Sequence, residues 1–183
     1  PSIMPYYQGR NEQAMVHQAT GYARHTRRRA TYGSTTSIGP GSTNLVTGAA
    51  LATTNRLPAL LFPADVFATR TTDPVLQQLE RPDAYDVTVN DTLRPVSRYF
   101  DRVWRPEQLF SALLNGLRVL TDPVETGAVT IALPQDVQAE RVDVPQEFLA
   151  EREWRIRRPE AEDEDIREAM VKIRSAKKPV IIA

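Results

Sequence analysis

The sequence predicts an α/β fold with a mostly parallel sheet flanked by helices, and three observations carry that expectation. Helical and strand-like stretches alternate along the chain. Two short apolar runs, residues 57–62 (LPALLF) and 127–133 (GAVTIAL), have the length and composition of strands covered on both faces. A Gly-Pro-Gly turn within residues 37–43 (SIGPGST) joins a strand pattern to a helix pattern. Alternation of this kind places helices on the faces of a parallel sheet.

Asn11 suits a helix N-cap, and from Glu12 to about Arg27 there is no proline, with Ala14, Met15, Ala19, Tyr22 and Ala23 at helical spacing. Residues 30–37 read as a short strand that breaks at Gly39, Pro40 and Gly41. Residues 42–55 return to helical spacing through Leu45, Val46, Ala49, Ala50 and Ala52. After the strand at 57–62, a Pro-broken region scatters Asp65, Asp73, Asp83, Asp86 and Asp91 without forming a recognisable pair. Residues 106–120 set Leu109, Phe110, Leu113, Leu114, Leu117 and Leu120 on one stripe, ahead of the strand at 127–133.

Residues 134–159 are rich in Pro, Gln and charge, hold no sustained period and read as an interdomain linker. Residues 160–183 begin again with acids at a helix start, bases at its end and a closing apolar strand, as the first helix and strand of a second domain would. With Pro1 at its start and that strand at its end, the chain reads as an excerpt from a longer one.

Composition narrows the function. At 183 residues, against roughly 100–200 per domain, one full domain and part of another are expected. Lys plus Arg and Asp plus Glu are equal at 23 each, so no net charge draws the chain to nucleic acid or an anionic membrane. No apolar run approaches the roughly 20 residues of a membrane span. The absence of cysteine removes disulfides, thiolate metal sites and a Cys nucleophile, and fits a soluble protein of the cytoplasm.

At a strand-to-helix junction, the free N–H groups of SIGPGST are able to face an anion or a polar ring edge. The stretch lacks the Lys of a GxxxxGK[ST] loop and the spacing of GxGxxG, which argues against a nucleoside triphosphate. A tight turn that needs glycine for its backbone angles explains it equally well. Glu12 has two readings as well: a charge that complements the helix dipole, or a carboxylate set among small residues in QGRNEQAMVHQATGYA. His17 and His25 lack ligand spacing, and Arg24 to Arg29 (RHTRRR) read as a solvated helix end. Taken alone, these residues leave the function unnamed.

The order NEQAMVHQATGYAR followed by STTSIGPGSTNLVTGAALATTNRLPALLF resembles the pyrimidine-binding domain of thiamine diphosphate enzymes of the acetolactate synthase type. Further stretches, PADVFATRTTDPVLQQLE, YDVTVNDTLRPVSRYFDRVWRPEQL and RVLTDPVETGAVTIALPQDVQ, are similar to one branch, the trihydroxycyclohexanedione hydrolases of inositol breakdown. The resemblance implies a pyrimidine-binding domain over residues 1–133, lacking its N-terminal start, then the linker at 134–159 and the start of the central domain at 160–183. Glu12 matches the family's glutamate, which hydrogen-bonds N1′ of the aminopyrimidine and favours its imino tautomer. Such a carboxylate must be shielded from water, because its proton is shared with a ring nitrogen. Gly39, Pro40 and Gly41 match the loop beside the cofactor.

By the same resemblance, the diphosphate and its Mg2+ belong to another domain with a Gly-Asp-Gly motif, which this sequence does not contain. A homodimer or homotetramer with the cofactor between subunits is implied, as is hydrolytic C–C cleavage of a small cyclic diketone to a deoxyglucuronic acid. Phe67, Arg70 and Gln77, after the strand at 57–62, are the candidate substrate contacts. Two alternatives stand beside this: a carboligase or decarboxylase of 2-oxo acids on the same scaffold, and a non-catalytic α/β binding module.

Overall fold

The computed structural model describes residues 4–71, 76–79 and 83–182; Asp73 lies outside them. Helix α1 (Glu12–His25), strand β1 (Gly33–Thr36), helix α2 (Pro40–Thr54) and strand β2 (Ala59–Asp65) follow in order. A 3-10 helix, Val89–Val96, precedes β3 (Tyr99–Arg102), α3 (Gln108–Leu120), β4 (Ala128–Pro134) and α4 (Asp163–Ser175). The four strands form a parallel sheet in the order β1-β2-β4-β3, registered by pairs such as Ser34 with Leu61, Leu61 with Thr130 and Phe100 with Thr130. The α/β expectation holds, and every strand pairing is parallel.

Each face of the sheet has its own apolar cluster. On one, Val16, Leu45, Ala49 and Ala52 from α1 and α2 pack on Ala59, Leu61 and Ala128, with Leu93 from the 3-10 helix. On the other, Ala112 and Leu120 of α3 join Val103, Val129, Ile131 and Val137. Strand β2 alternates buried and half-buried residues rather than being sealed on both faces, because Leu60 and Phe62 turn toward the more open side. It also runs past the apolar stretch through Pro63 to Asp65, a length that the proline conceals in the sequence.

Helices α1 and α2 lie unusually close. A Cβ placed on Gly48 would stand 2.6 Å from the Cβ of Val16, so only glycine permits this approach. Asn11 caps α1 as expected, its Oδ1 accepting from Ala14 N at 3.1 Å.

The region broken by prolines contains order that its composition hides. Strand β3 and the 3-10 helix are held by Arg102, whose guanidinium is almost wholly buried. Its Nε donates to Asp65 Oδ2 at 2.5 Å, and one terminal nitrogen donates to Thr88 Oγ1 at 2.8 Å and Asp91 Oδ2 at 3.1 Å. Asp91 in turn closes a capping box with Thr88, accepting from its N–H at 2.7 Å. Asp65 and Asp91, scattered and unpaired in the sequence pattern, thus share one cation across the end of β4. Burial would raise the pKa of Asp91, but hydrogen bonds from Arg94 and the Thr88 N–H, with the charge and hydrogen bond of Arg102, hold it below its ordinary value.

The start of the linker stretch also belongs to this core, since Val137 is buried and the Phe148 ring lies 4.9 Å from that of Phe110 on α3. The arginines after α1 are not merely solvated: Arg28 donates to Pro123 O at 3.1 Å, and Arg27 O accepts from Arg158 at 2.6 Å. Helix α4 forms with its acids first and bases last, exposed along its length. Among the described residues, 179–182 form no strand; Val180, Ile181 and Ile182 are exposed, with no neighbour supplying a ladder.

Removing one member of a buried ion pair leaves the other charge uncompensated, at a cost of about 3–5 kcal/mol. Arg102→Met is expected to lower unfolding stability on that scale in urea denaturation. Adding Asp65→Asn should recover part of the loss, because the stranded charge is then gone.

Candidate functional site

The candidate site is built where the helix N-termini meet the carboxyl edge of the sheet. Only residues 37–39 separate the end of β1 from α2, so the N-terminus of α2 stands at that edge. The Val16–Gly48 contact fixes α1 beside it. Glu12 and Asn44 lie four residues before Val16 and Gly48 respectively, one helical turn toward the N-terminus in each helix. They meet there: Asn44 Nδ2 donates to Glu12 Oε2 at 2.9 Å. The two helices therefore run side by side in the same sense, with both amino ends at the site.

Glu12 is half-buried and lines a cleft of about 610 Å³. Residues 33–37 form one wall and residues 4–9 another, with Met15, Tyr32 and Phe62 between. The Tyr32 ring stacks on that of Tyr22 at 4.6 Å, which fixes an aromatic face in this region. Thr36 lines the same cleft, and its buried Oγ1 has no hydrogen-bond partner among the described residues. A carboxylate and the aromatic walls supplied by Tyr6, Tyr7, Tyr32 and Phe62 suit a planar ligand that carries ring nitrogens. The aminopyrimidine of thiamine diphosphate has that chemistry, so the residues present fit the cofactor expected from the sequence.

Gly39, Pro40 and Gly41 form the entry to α2, with Pro40 at its first turn. Gly39 has φ +72°, and a Cβ there would overlap the carbonyl oxygen of Gln77. A Cβ on Gly41 would stand 2.5 Å from Ser37 Oγ. Turn geometry and close packing thus both require glycine at Gly39, whereas at Gly41 the Ser37 hydroxyl is the one close neighbour and can rotate away. Of these loop residues, none lines the 610 Å³ cleft; they form the shoulder next to Ser37, which does.

The three candidate substrate contacts separate. Gln77 lies against the Gly39 turn through its backbone, with φ +68°. Phe67 is half-buried, and its carbonyl accepts from Arg70 N at 3.1 Å, making a tight turn. Arg70 is exposed, with its guanidinium 5.7 Å from the centre of the Tyr85 ring. It lines a different cleft, of about 420 Å³, together with Trp104, Arg105 and Glu140. Glu12 and Arg70 are therefore not neighbours in this chain, although both stand at the carboxyl edge.

Asp136, which the sequence places in the linker, anchors the turn that bears Phe67 and Arg70. Its carboxylate accepts from Ala68 N at 2.9 Å, and from Thr69 N and Oγ1 at 3.0 Å. Asn44 and Asp136 are the residues that sequence reasoning missed. Asn44 directly follows the Gly-Pro-Gly stretch (residues 37–43) already singled out, so proximity to that motif was the available signal; Asp136 had none. No described helix is long and apolar enough to cross a membrane, and no three His, Asp or Glu of the described residues cluster to hold a metal ion.

Residues 2–86 match the thiamine pyrophosphate enzyme, N-terminal TPP binding domain, thiamine pyrophosphate being another name for thiamine diphosphate. Over 182 residues the chain is 53% identical to 3D-(3,5/4)-trihydroxycyclohexane-1,2-dione hydrolase of Geobacillus thermodenitrificans and to that of Clostridium perfringens. It is 50% identical to the hydrolase of the same name from Clostridium tetani. Each match covers 100% of this chain and 28% of the relative.

The anchor of the Phe67 turn gives a pH prediction. Burial would raise the pKa of Asp136, but the N–H groups of Thr69 and Ala68, then the Thr69 hydroxyl and Val137 N–H, lower it below 3.8. A lowered folded value means that the anchor contributes fully above the unfolded pKa and is lost as pH falls through the folded one. Hydrogen exchange at Ala68 and Thr69 should therefore stay protected down to about pH 4 and rise only below it. In Asp136→Ala the same amides should exchange freely at neutral pH.

Proposed function

We propose that this chain, as a thiamine diphosphate enzyme domain, holds the aminopyrimidine end of the cofactor in a hydrolase that opens a cyclic 1,2-diketone. The observation that carries the proposal is the Glu12 carboxylate, fixed by Asn44 at the paired helix N-termini and facing the cleft at β1. The substrate class follows from similarity across the whole chain to hydrolases of 3D-(3,5/4)-trihydroxycyclohexane-1,2-dione. Those relatives are much longer than this chain, and the diphosphate, its Mg2+ and the remaining substrate contacts are assigned to the rest of the enzyme.

The chemistry supplied by bound thiamine diphosphate is a nucleophilic thiazolium carbon that adds to a carbonyl. Glu12 does the proton work on the ring. Its carboxyl holds a proton between an oxygen and the pyrimidine N1′, which sets the charge of the ring without releasing the proton to solvent. Asn44 occupies Oε2, leaving Oε1 for that contact. Gly39, Pro40 and Gly41 shape the shoulder of the cleft. Phe67, Arg70 and Gln77, on the loop after β2, contact the substrate or its product. Overall, water adds across one C–C bond: its hydroxyl ends on the carbon that becomes the carboxyl group of a deoxyglucuronic acid, and its hydrogen on the other carbon.

Glu12 is only half-buried in this chain, whereas proton sharing of this kind requires that water be kept out. The reading therefore includes a second subunit as the outer wall, in a homodimer or homotetramer of the cytoplasm.

The test uses the full-length protein stripped of cofactor. Consumption of trihydroxycyclohexane-1,2-dione should appear only after thiamine diphosphate and Mg2+ are added. Cofactor binding without turnover of the dione, and with release of carbon dioxide from a 2-oxo acid, would move the assignment to a decarboxylase or carboligase. In the active enzyme Glu12→Gln is expected to lower kcat by about 10²–10⁴-fold while the protein stays folded; turnover near that of the wild type would remove Glu12 from the mechanism.

A further inference from the structure

We infer that Asn44 is the positioning residue of Glu12, acting on the cofactor only through the carboxylate that it holds. The inference rests on the proposed role of Glu12 and adds a residue to it. Asn44 Nδ2 reaches Glu12 Oε2 at 2.9 Å, across 32 positions of sequence. It is the one hydrogen-bond partner of the Glu12 side chain among the described residues, and no cation pairs with that carboxylate among them.

The arrangement is set from below. One turn along each helix, Val16 fits against the bare backbone of Gly48, and both residues are deeply packed. That contact fixes the separation and register of α1 and α2, so the amide nitrogen of Asn44 and the carboxylate of Glu12 meet without either chain having to search for the other. A long, flexible glutamate in the first turn of a helix otherwise samples several rotamers. A single neutral donor on one oxygen narrows that freedom and leaves the second oxygen without a hydrogen-bond partner among the described residues.

The choice of donor matters chemically. An arginine or lysine at residue 44 would hold the carboxylate more strongly, but its positive charge would compete with the ring nitrogen for the same anion. An amide donates a hydrogen bond, does not titrate and brings no net charge. It fixes where Glu12 points while leaving the proton to be shared with the ligand. Residue 44 also lies three positions beyond Gly41, so the Gly-Pro-Gly turn serves two purposes: it shapes the shoulder of the cleft and starts the helix that delivers the amide.

A tie between two helices with no role in chemistry would give the same static picture, so the test must separate the two. In the full-length protein, wild type, Glu12→Gln, Asn44→Ala and the double variant are compared for kcat, for KM, and for the circular-dichroism signal of the aminopyrimidine when thiamine diphosphate and Mg2+ are bound. Thermal melting confirms folding. Asn44→Ala is expected to lower kcat about tenfold, as for loss of a hydrogen bond to a charged group, with little change in KM and a weakened circular-dichroism signal. In the Glu12→Gln background the same change should alter kcat by less than about twofold, because an amide at residue 12, even if Asn44 still holds it, shares no proton with the ring.

Asn44→Asp provides the second variant, since it keeps the shape of the side chain and exchanges the donor for a carboxylate facing Glu12. It should be more damaging than Asn44→Ala. An equal effect of Asn44→Ala in both backgrounds would overturn the inference, as would an Asn44→Asp variant no worse than Asn44→Ala. If Glu12→Gln leaves both kcat and the circular-dichroism signal unchanged, the proposed function of Glu12 fails and this inference falls with it. If Glu12→Gln abolishes both while Asn44→Ala changes neither, the proposed function stands and only the role of Asn44 is lost.

Discussion

The close approach of α1 to α2, set by the missing side chain at Gly48 against Val16, determines what the carboxyl edge of the sheet can hold. With a larger residue there the helices would separate, and contacts one turn away would lengthen in step. Because the helices run in the same sense, their amino ends come together, and the partial positive charges of two sets of free N–H groups add at one place. Glu12, in the first turn of α1, stands in that field, and Asn44 gives it direction. A packing decision in the core thus becomes an electrostatic decision at the surface.

The opposite half of the same edge is built on charge rather than close packing. Arg102 reaches from β3 to Asp65 at the end of β2, with β4 between them in the sheet order. The same guanidinium meets Thr88 and Asp91 before and within the 3-10 helix, while Asn90 donates to Ala64 O at 2.8 Å. A buried cation with several oxygen partners tolerates little displacement, since moving it strands more than one polar group at once. This cluster therefore sets the positions of β2, β3 and the intervening turn together. The loop that carries Phe67 and Arg70 begins directly above it, and Asp136 fastens that loop from the other side.

Periodicity and caps made much of this architecture legible. Asn11, the unbroken apolar spacing of α1, α2 and α3, and the runs at 57–62 and 127–133 each signal their element through local chemistry. Strand β3 escaped because YFDR is short and half charged; it is a strand only because β4 pairs with it and Asp65 neutralises Arg102. Conversely, residues 179–182 have strand composition without a strand, since a ladder needs a partner as well as apolar side chains. The candidate site divides along the same line. Glu12 and the Gly-Pro-Gly turn were visible as residue types in a pattern, whereas the Asn44 contact spans two helices and depends on a glycine whose importance is geometric.

That division bears on how such a site does its chemistry. The geometry of Glu12 is complete within two helices of one chain, but its carboxylate is still half in water, where a hydrogen bond or a charge is worth little. Once a second wall excludes water, the same contacts act in a medium of low dielectric and gain strength without moving. On the proposed reading, this domain fixes direction and the assembled enzyme supplies strength. The two requirements can be met separately because direction comes from backbone packing at Gly48, which water does not weaken. An interaction of that kind survives in the open site and is already in place when the site closes.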